Sequence, residues 1–422
     1  MSLKNRVTIL FFVTVGALLS DKLPPNPMPH NEIFPAPAGT VAAWDQAKLR
    51  AHGWDLFTLV WENVNAGHGF TPRWYTWCTD AEMYDSPQPV DCTGASSQDR
   101  ELTAASRLSG LQPRSPDLPL LPGVLSQVYF SPALAKDLKA LPAAFRPPVP
   151  LPPDVQSQHF QYQAAYLFST LLDHNVHQLP GGANDEVVVK VAWSKLACPS
   201  QPNSAAPSLP AWDGKPPAAG EQHLDPADFP KVYIDPQTLA RMGCTPATNV
   251  AQAKPLYKRD DFFWFQRLSD DPITALPARI SQLNPGDYLF LTAMHIITHE
   301  QDKWVWATYW LSDPSDHAHM DDKPQCLRKG KGAHFAMDIS INDKAPVFNP
   351  FLEGEQEGYE KSNCLRCHAA AAVFRTAKNQ LTCTVPKLDA ETPALPPGAL
   401  QTGFLWTPAR RATSNCNAKP DN

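Results

Sequence analysis

The spacing C-x-x-C-H near the carboxyl end constrains the fold more than any other feature of this sequence. Cys364, Cys367 and His368 form the pattern in a chain of 422 residues. On the first turn of a helix, two thiols at this spacing reach both vinyl groups of one haem, and the adjacent imidazole ligates its iron. The pattern therefore predicts one covalent haem c with His368 as proximal ligand. Arg366 and Arg375 are candidate partners for the haem propionates, with solvated surface charges as the alternative.

Two other kinds of site share this pattern of residues. A zinc site would need a second pair of ligands, and the sequence contains no second C-x-x-C. A redox dithiol normally lies in a βαβ context and requires no histidine after its second cysteine. We therefore place haem c first and keep zinc and a dithiol as alternatives.

Any ligand that the protein supplies to the other face of the iron must come from upstream. Small electron-transfer cytochromes c usually use a downstream methionine, but Met337 is the last methionine and His368 the last histidine here. We place His295 first, because "TAMHII" predicts a buried strand on which His295 and His299 share one face. The other candidates are Met294, His299, His317, His319, Met320, His334 and Met337. An open sixth position, as in cytochromes c-prime, is the alternative.

The first 20 residues predict an export signal. Lys4 and Arg6 precede an apolar run from Val7 to Leu19, which is shorter than the roughly 20 residues that span a bilayer. No later stretch is long and apolar enough for a membrane helix. We expect a periplasmic or secreted bacterial protein with no membrane span after signal cleavage. Such a location agrees with haem c, which bacteria attach outside the cytoplasm.

Seven cysteines lie outside the C-x-x-C-H pattern, and an exported chain permits them to form disulfides. Because seven is odd, at least one has no partner within the chain. Cys78 with Cys92 and Cys383 with Cys416 are the nearest candidate pairs. The net charge of −6, with no run of cations on one face, argues against nucleic acid. The sequence does not specify a redox partner protein or a small-molecule substrate.

Proline is abundant, and its clustering divides the chain. The 45 prolines fall mainly in loops, since proline fixes φ and lacks an N–H group. After the signal peptide (1–20) and an extended proline-rich start (21–40), we predict a mainly helical and irregular region over 41–179. A β-rich region over 180–348 follows. The haem-c attachment segment and tail occupy 349–422.

Hydrophobic periodicity predicts the individual elements. Helices are expected at Val41 to Asn65 (either one, or two that are divided at Gly53), Pro132 to Leu141, Phe160 to Leu179 and Leu365 to about Lys378. Strands are expected at Glu186 to Trp193, Lys231 to Ile234, Asp287 to Ile297, Lys303 to Leu311 and Phe335 to Ile341. The third and fourth strands form an antiparallel hairpin, and 111–158 is mostly irregular apart from its short helix. The fold class is α+β and not a small all-α cytochrome c.

Tryptophans alternate along the fourth strand. Trp304, Trp306, Thr308 and Trp310 share one face, and the residues between them take the other. Such a row more often packs in a core or between domains than it binds a ligand. If this face meets the haem, it would exclude water and raise the reduction potential.

Five segments of the chain carry a resemblance to a known family: "RWYTWCT", "VVVKVAW", "HIITHEQDKWVWATYW", "NPFLEGEQEGYEKSNCLRCH" and "GFLWTP". Together they resemble a family of secreted bacterial mono-haem c-type cytochrome-like proteins, which carry W-x-W-A-T-F and N-P-Y-L-E followed by S-N-C-x-x-C-H. The resemblance extends from about Trp54 to Trp406 as islands, and it is most specific from Asn349 to His368. It implies haem c in a β-rich scaffold. Where this family has an acidic residue and a histidine after its W-A-T-F strand, this chain has Trp310 and Leu311.

Electron transfer is the first function hypothesis. The alternative is a haem-c enzyme of the oxidase or peroxidase type, with an open or exchangeable sixth position and a small substrate. The length of the chain favours the alternative, because an electron carrier needs far fewer residues.

Overall fold

An antiparallel sheet of eight strands organises the protein. The structure is a computed structural model, and it describes residues 41–64, 70–84, 92, 112–113, 124–144, 168, 172, 186–196, 207–215, 224–244, 256–258, 261–266, 286–300, 304–341, 347–353, 368, 371–383, 395 and 397–402. Within these ranges the helices are α1 (Gln46–Val60), α2 (Asp80–Tyr84), α3 (Pro132–Ala144) and α4 (Pro236–Arg241).

The described strands form one large sheet and two small ones. They are β1 (Cys78–Thr79), β2 (Gln112–Pro113), β3 (Val124–Phe130), β4 (Val187–Leu196), β5 (Ser208–Pro210), β6 (Lys231–Ile234), β7 (Leu256–Tyr257), β8 (Trp264–Gln266), β9 (Tyr288–Thr298), β10 (Val305–Leu311), β11 (Phe335–Ser340), β12 (Ala372–Arg375), β13 (Leu381–Cys383) and β14 (Leu400–Gln401). The large sheet has the order β1-β3-β4-β9-β10-β11, with β2 beside β3 and β8 beside β9. The small sheets have the orders β5-β6-β7 and β13-β12-β14.

This arrangement confirms the α+β class and the antiparallel hairpin, and it is not a small all-α cytochrome. Strands β9 and β10 pair antiparallel, with Thr308 opposite His295. Within the described residues, β6 and β7 form the parallel pair. None of the helices in the described ranges combines the length and apolar character needed to cross a bilayer. The predicted signal peptide lies outside the described residues.

Helix α1 covers one face of the large sheet. It begins after Asp45, whose side chain accepts a hydrogen bond from the Lys48 N–H at 2.8 Å, a typical N-cap. Of the two expected alternatives, one helix or two, the structure has one, because α1 continues through Gly53, where a Cβ atom would lie 3.0 Å from the Met337 sulfur. The glycine thus allows close approach to β11. Burying a large apolar side chain of α1 such as Trp54 contributes about 2 to 3 kcal/mol.

Two sequence predictions about secondary structure are wrong. The helix expected from Leu365 to Lys378 is replaced by β12, which pairs with both β13 and β14. Only His368 within the first part of that range is described, and it is helical; the Ala371 N–H bonds to its carbonyl at 3.0 Å. The stretch 111–158 was predicted to be mostly irregular apart from its short helix, but its described residues also contain β3, which pairs along its whole length with β4. Of the helix predicted over Phe160 to Leu179, the structure describes two positions, and both are helical.

The predicted disulfide between Cys78 and Cys92 is confirmed. Cys383 is also disulfide-bonded, but the predicted partner Cys416 lies outside the described residues. Cys244 is disulfide-bonded as well, and Cys326 is a free thiol in the described part of the chain.

Removing the Cys78–Cys92 bridge should lower the free energy of unfolding by about 3 kcal/mol, since it closes a loop with a sequence separation of 14. Urea unfolding of the Cys78→Ala/Cys92→Ala double variant measures this loss. The control is Cys326→Ala, which removes a free thiol and should cost less than about 1 kcal/mol. Equal losses in the two variants would contradict the prediction.

Candidate haem site

A row of polar side chains crosses the face of the large sheet that lies opposite α1. Each residue of the row is the direct cross-strand partner of the next: Lys190 on β4, His295 on β9, Thr308 on β10 and Asp338 on β11. Partners in register project from the same face. His295 is 1% exposed and Thr308 is fully buried. The centre of the sheet therefore carries buried polar side chains among positions that are otherwise largely apolar.

Apolar side chains flank the polar row on both sides and form two separate clusters. One cluster, which also includes residues of α3, contains Val188, Ile297 and Trp306. The other, which packs against the β5-β6-β7 sheet, contains Ala192, Ala293 and Trp310. The predicted alternation along β10 is thus confirmed, since Val305, Ala307 and Tyr309 project into the core beneath α1. The polar row is the seam between the two clusters.

The segment Val347–Glu353 covers this seam. Val347 packs in the cluster that holds Trp306, whereas Phe348, Phe351 and Leu352 pack in the cluster that holds Trp310. The polar residues of the segment, Asn349 and Glu353, contact the polar row through Thr308 and His295. This segment is the "NPFLE" stretch of the sequence, and its pattern of apolar and polar residues matches the surface that it covers.

Asn349 fixes the shape and position of this segment. Its side-chain oxygen accepts hydrogen bonds from the N–H groups of Phe351 (3.0 Å) and Leu352 (3.1 Å), as an N-cap does. Its side-chain nitrogen donates to the Thr308 hydroxyl at 2.7 Å and to the Tyr309 carbonyl at 2.9 Å. Asn349 is fully buried, so that every one of these bonds is shielded from water.

Glu353 joins the segment to the polar row. One carboxylate oxygen contacts Nε2 of His295 at 2.5 Å, and the other accepts the N–H of Asn349 at 2.7 Å. Burial alone raises the pKa of the Glu353 carboxyl, but its pairing with His295, the nearby charge of Lys190 and the Asn349 N–H outweigh burial. Its pKa therefore lies below the usual range, and Glu353 is ionised at neutral pH.

The two nitrogens of the His295 ring have different surroundings. Nε2 contacts Glu353, whereas Nδ1 is buried and has no hydrogen-bond partner among the described residues. Buried polar atoms are nearly always paired, so an orphan of this kind calls for an explanation. A nitrogen with an available lone pair, whose ring is held through the other nitrogen by a carboxylate, is the usual arrangement of a metal-ligating histidine.

Trp306 brings the two predicted iron ligands together. Its ring lies 4.1 Å from the ring of His368 and 5.9 Å from the ring of His295, measured between centroids. The His295 ring meets the indole edge-on, at an interplanar angle of 73°. Trp306 is 1% exposed and His368 is half-buried. Both histidines therefore contact one apolar wall on the same face of the sheet.

Among the described contacts, none joins another of the predicted haem-binding residues to the Trp306 ring. Cys364, Arg366 and Cys367 lie outside the described residues. Arg375 lies on β12 and donates to the Asn379 carbonyl at 3.3 Å, so its role toward a haem propionate stays a prediction. The other candidate ligands have separate surroundings.

The two methionines of the large sheet lie on its opposite face. Met294 accepts a hydrogen bond from the Trp61 indole at 3.4 Å, and Met337 packs beneath α1. They are therefore core residues.

The remaining histidines have carboxylate neighbours of their own. The nitrogen-to-oxygen distances are 3.0 Å for His299–Glu186, 3.6 Å for His317–Asp321, 2.8 Å for His319–Asp316 and 3.9 Å for His334–Asp261. The prediction of a solvated loop is correct for His317, whose side chain is strongly exposed. His319, in contrast, is stacked against Trp212.

Sequence reasoning missed Glu353, Asn349 and Lys190 as parts of the site. A signal for the first two was present, since Asn-Pro followed by a glutamate is typical of a capped helical turn. No signal indicated Lys190, whose place next to His295 depends on the pairing of β4 with β9.

The described residues fit a haem in their chemistry. A half-buried imidazole, a second imidazole with an orphan nitrogen and an indole that both imidazoles contact are groups that suit a haem pocket. Comparisons of this chain with protein families, with curated proteins and with solved structures find no match.

Proposed function

We propose that this protein is an exported mono-haem c-type cytochrome that transfers electrons. Cys364 and Cys367 would hold the haem through thioether bonds, and His368 would be its proximal ligand. The observation that carries the proposal is the contact of His368 with the Trp306 wall, which His295 also contacts. The resemblance of the Asn349–His368 stretch to secreted mono-haem cytochrome-like proteins supports it.

A haem bound there would supply one-electron chemistry through its ferric and ferrous states. The protein residues would set the conditions for that chemistry. Trp306 would exclude water from the proximal side, and a less polar environment favours the less charged ferrous state. Arg366 and Arg375 are proposed partners of the propionates, and His295 is the proposed sixth ligand.

Export is part of the proposal. The predicted signal peptide over 1–20 supports it, and so does the Cys78–Cys92 disulfide, because structural disulfides persist in oxidising compartments. We infer a periplasmic or secreted location for the mature chain.

A second candidate function rests on the His295–Glu353 pair. If the sixth position of the iron were open, the carboxylate would orient His295 as a general acid or base beside a small substrate. The protein would then be a haem-c oxidase or peroxidase.

Optical spectra of the mature chain, expressed with haem-maturation machinery, test the proposal. A covalent haem that is low-spin and changes little with CO or cyanide is the expected result. A high-spin spectrum with ready CO binding would instead support the enzyme, and a colourless protein with stoichiometric zinc would refute both. The Cys364→Ala/Cys367→Ala variant should lose covalent haem, whereas Cys326→Ala, which removes the free thiol, should retain it.

A further inference from the structure

We propose that Glu353 is a positioning residue for His295: it holds Nε2–H and leaves Nδ1 as the nitrogen that ligates the haem iron. This inference rests on the proposed haem function and assigns a role to a residue that the C-x-x-C-H pattern does not indicate.

The first step is the rigidity of the Glu353 carboxylate. It is held by the Asn349 N–H at 2.7 Å, and Asn349 is itself tied to β10 through Thr308 and Tyr309. The carboxylate is thus fixed to the strand that carries Trp306. A carboxylate fixed in this way can set the orientation of the imidazole that it contacts.

The second step is the assignment of the proton. A carboxylate accepts hydrogen bonds and does not donate them, so the 2.5 Å contact requires the hydrogen to be on Nε2 of His295. In a neutral imidazole the lone pair is then on Nδ1. Ligation through Nδ1 leaves the Glu353 contact intact, whereas ligation through Nε2 would break it.

The third step is the environment of Nδ1. It is buried and lacks a hydrogen-bond partner among the described residues, although Lys190 and Thr308 flank His295 in register on the neighbouring strands. Since an unmet buried acceptor destabilises the fold, a ligand at this position would remove that cost. Trp306, next to His295, is also the wall that His368 contacts.

Titration of the ferrous holoprotein with CO tests the inference, because CO must displace the sixth ligand. Glu353→Ala should bind CO about 10- to 100-fold more tightly than the wild type, because His295 would bind the iron more weakly and compete less with CO. Removing a partner of this kind usually weakens metal binding by such a factor. Glu353→Gln retains an acceptor for Nε2–H and should recover much of the wild-type affinity. The matched control is Glu186→Ala, which removes the carboxylate of the His299 pair at 3.0 Å and should leave CO affinity unchanged.

Selective ¹⁵N labelling of histidine in the diamagnetic ferrous state gives a second readout. His295 should carry its hydrogen on Nε2 in the wild type, and circular dichroism and thermal unfolding should confirm that each variant is folded. A low-spin wild type whose CO affinity is the same in Glu353→Ala would overturn this inference alone. A high-spin wild type would overturn the inference and the electron-transfer proposal together, and a protein without covalent haem would overturn the cofactor proposal itself.

Discussion

Replacing Asn349 with alanine should lower the free energy of unfolding by about 3 to 4 kcal/mol. The side chain makes four hydrogen bonds, all of them buried, and each contributes about 1 kcal/mol. The loss also leaves the N–H group of Phe351 without its side-chain partner, whereas the Leu352 N–H keeps its bond to the backbone carbonyl of residue 349. Because the segment that Asn349 caps also holds Glu353, the variant should disturb the contact with His295 as well.

Chemical denaturation, followed by tryptophan fluorescence, measures this effect. Thr308→Val provides a matched comparison, since it removes one of the four bonds and should cost about 1 to 2 kcal/mol. Asn349→Asp should be intermediate, because it can still accept from Phe351 and Leu352 but cannot donate to Tyr309. A loss below about 1 kcal/mol for Asn349→Ala would show that Asn349 does not anchor the segment.

The stability of the protein should rise with pH in a way that depends on Lys323. This lysine is 3% exposed, donates to the carbonyls of Gly332 and Ala333, and lies 5.3 Å from the Trp54 ring. Burial, with a smaller contribution from the charge of Arg328, lowers its pKa from 10.5 to about 7. In the unfolded chain the pKa returns to its usual value.

The sign of the effect follows from proton binding. Between about pH 7 and about pH 10 the unfolded state holds more protons on this lysine than the folded state does, so raising the pH stabilises the fold. The expected gain from this group between about pH 7 and about pH 9.5 is about 3 kcal/mol. Below about pH 7 the penalty for burying the ammonium is fully present, and its contribution no longer changes.

Comparison of the wild type with Lys323→Met isolates this contribution. The stability difference between the two proteins should change by about 3 kcal/mol over that pH window, whatever its size at neutral pH. Lys329→Met is the control, because Lys329 is exposed in the same loop and should keep the wild-type pH dependence. Parallel pH profiles for the wild type and Lys323→Met would contradict the prediction.

The sequence predicted the centre of the large sheet well, because its strands have strong local patterns. The β-branched run of β4, the apolar length of β9 and the alternating tryptophans of β10 all indicate strands without knowledge of their neighbours. His295 was located correctly on a buried strand for the same reason. The observed strands confirm the predicted α+β class.

The errors fall where structure depends on distant pairing. The strand Ala372–Arg375 begins at the last residue of an alanine run of high helix propensity, yet it pairs with residues 400–401, which local pattern cannot reveal. The same holds for β3, whose partner β4 lies about 60 residues further on. Glu353 was missed because its importance depends on the residue that it contacts, and not on its neighbours in the sequence.

The polar row also has a consequence for how the strands find their alignment during folding. A shift of β9 by one residue would turn His295 under α1 and place Met294 or Ile296 against Lys190 and Thr308. Such a slip would bury the His295 imidazole in an apolar layer and would remove His295 from its place beside Lys190. The cost would be several kcal/mol. The residues proposed to serve a haem would therefore also exclude misaligned sheets before any haem is attached.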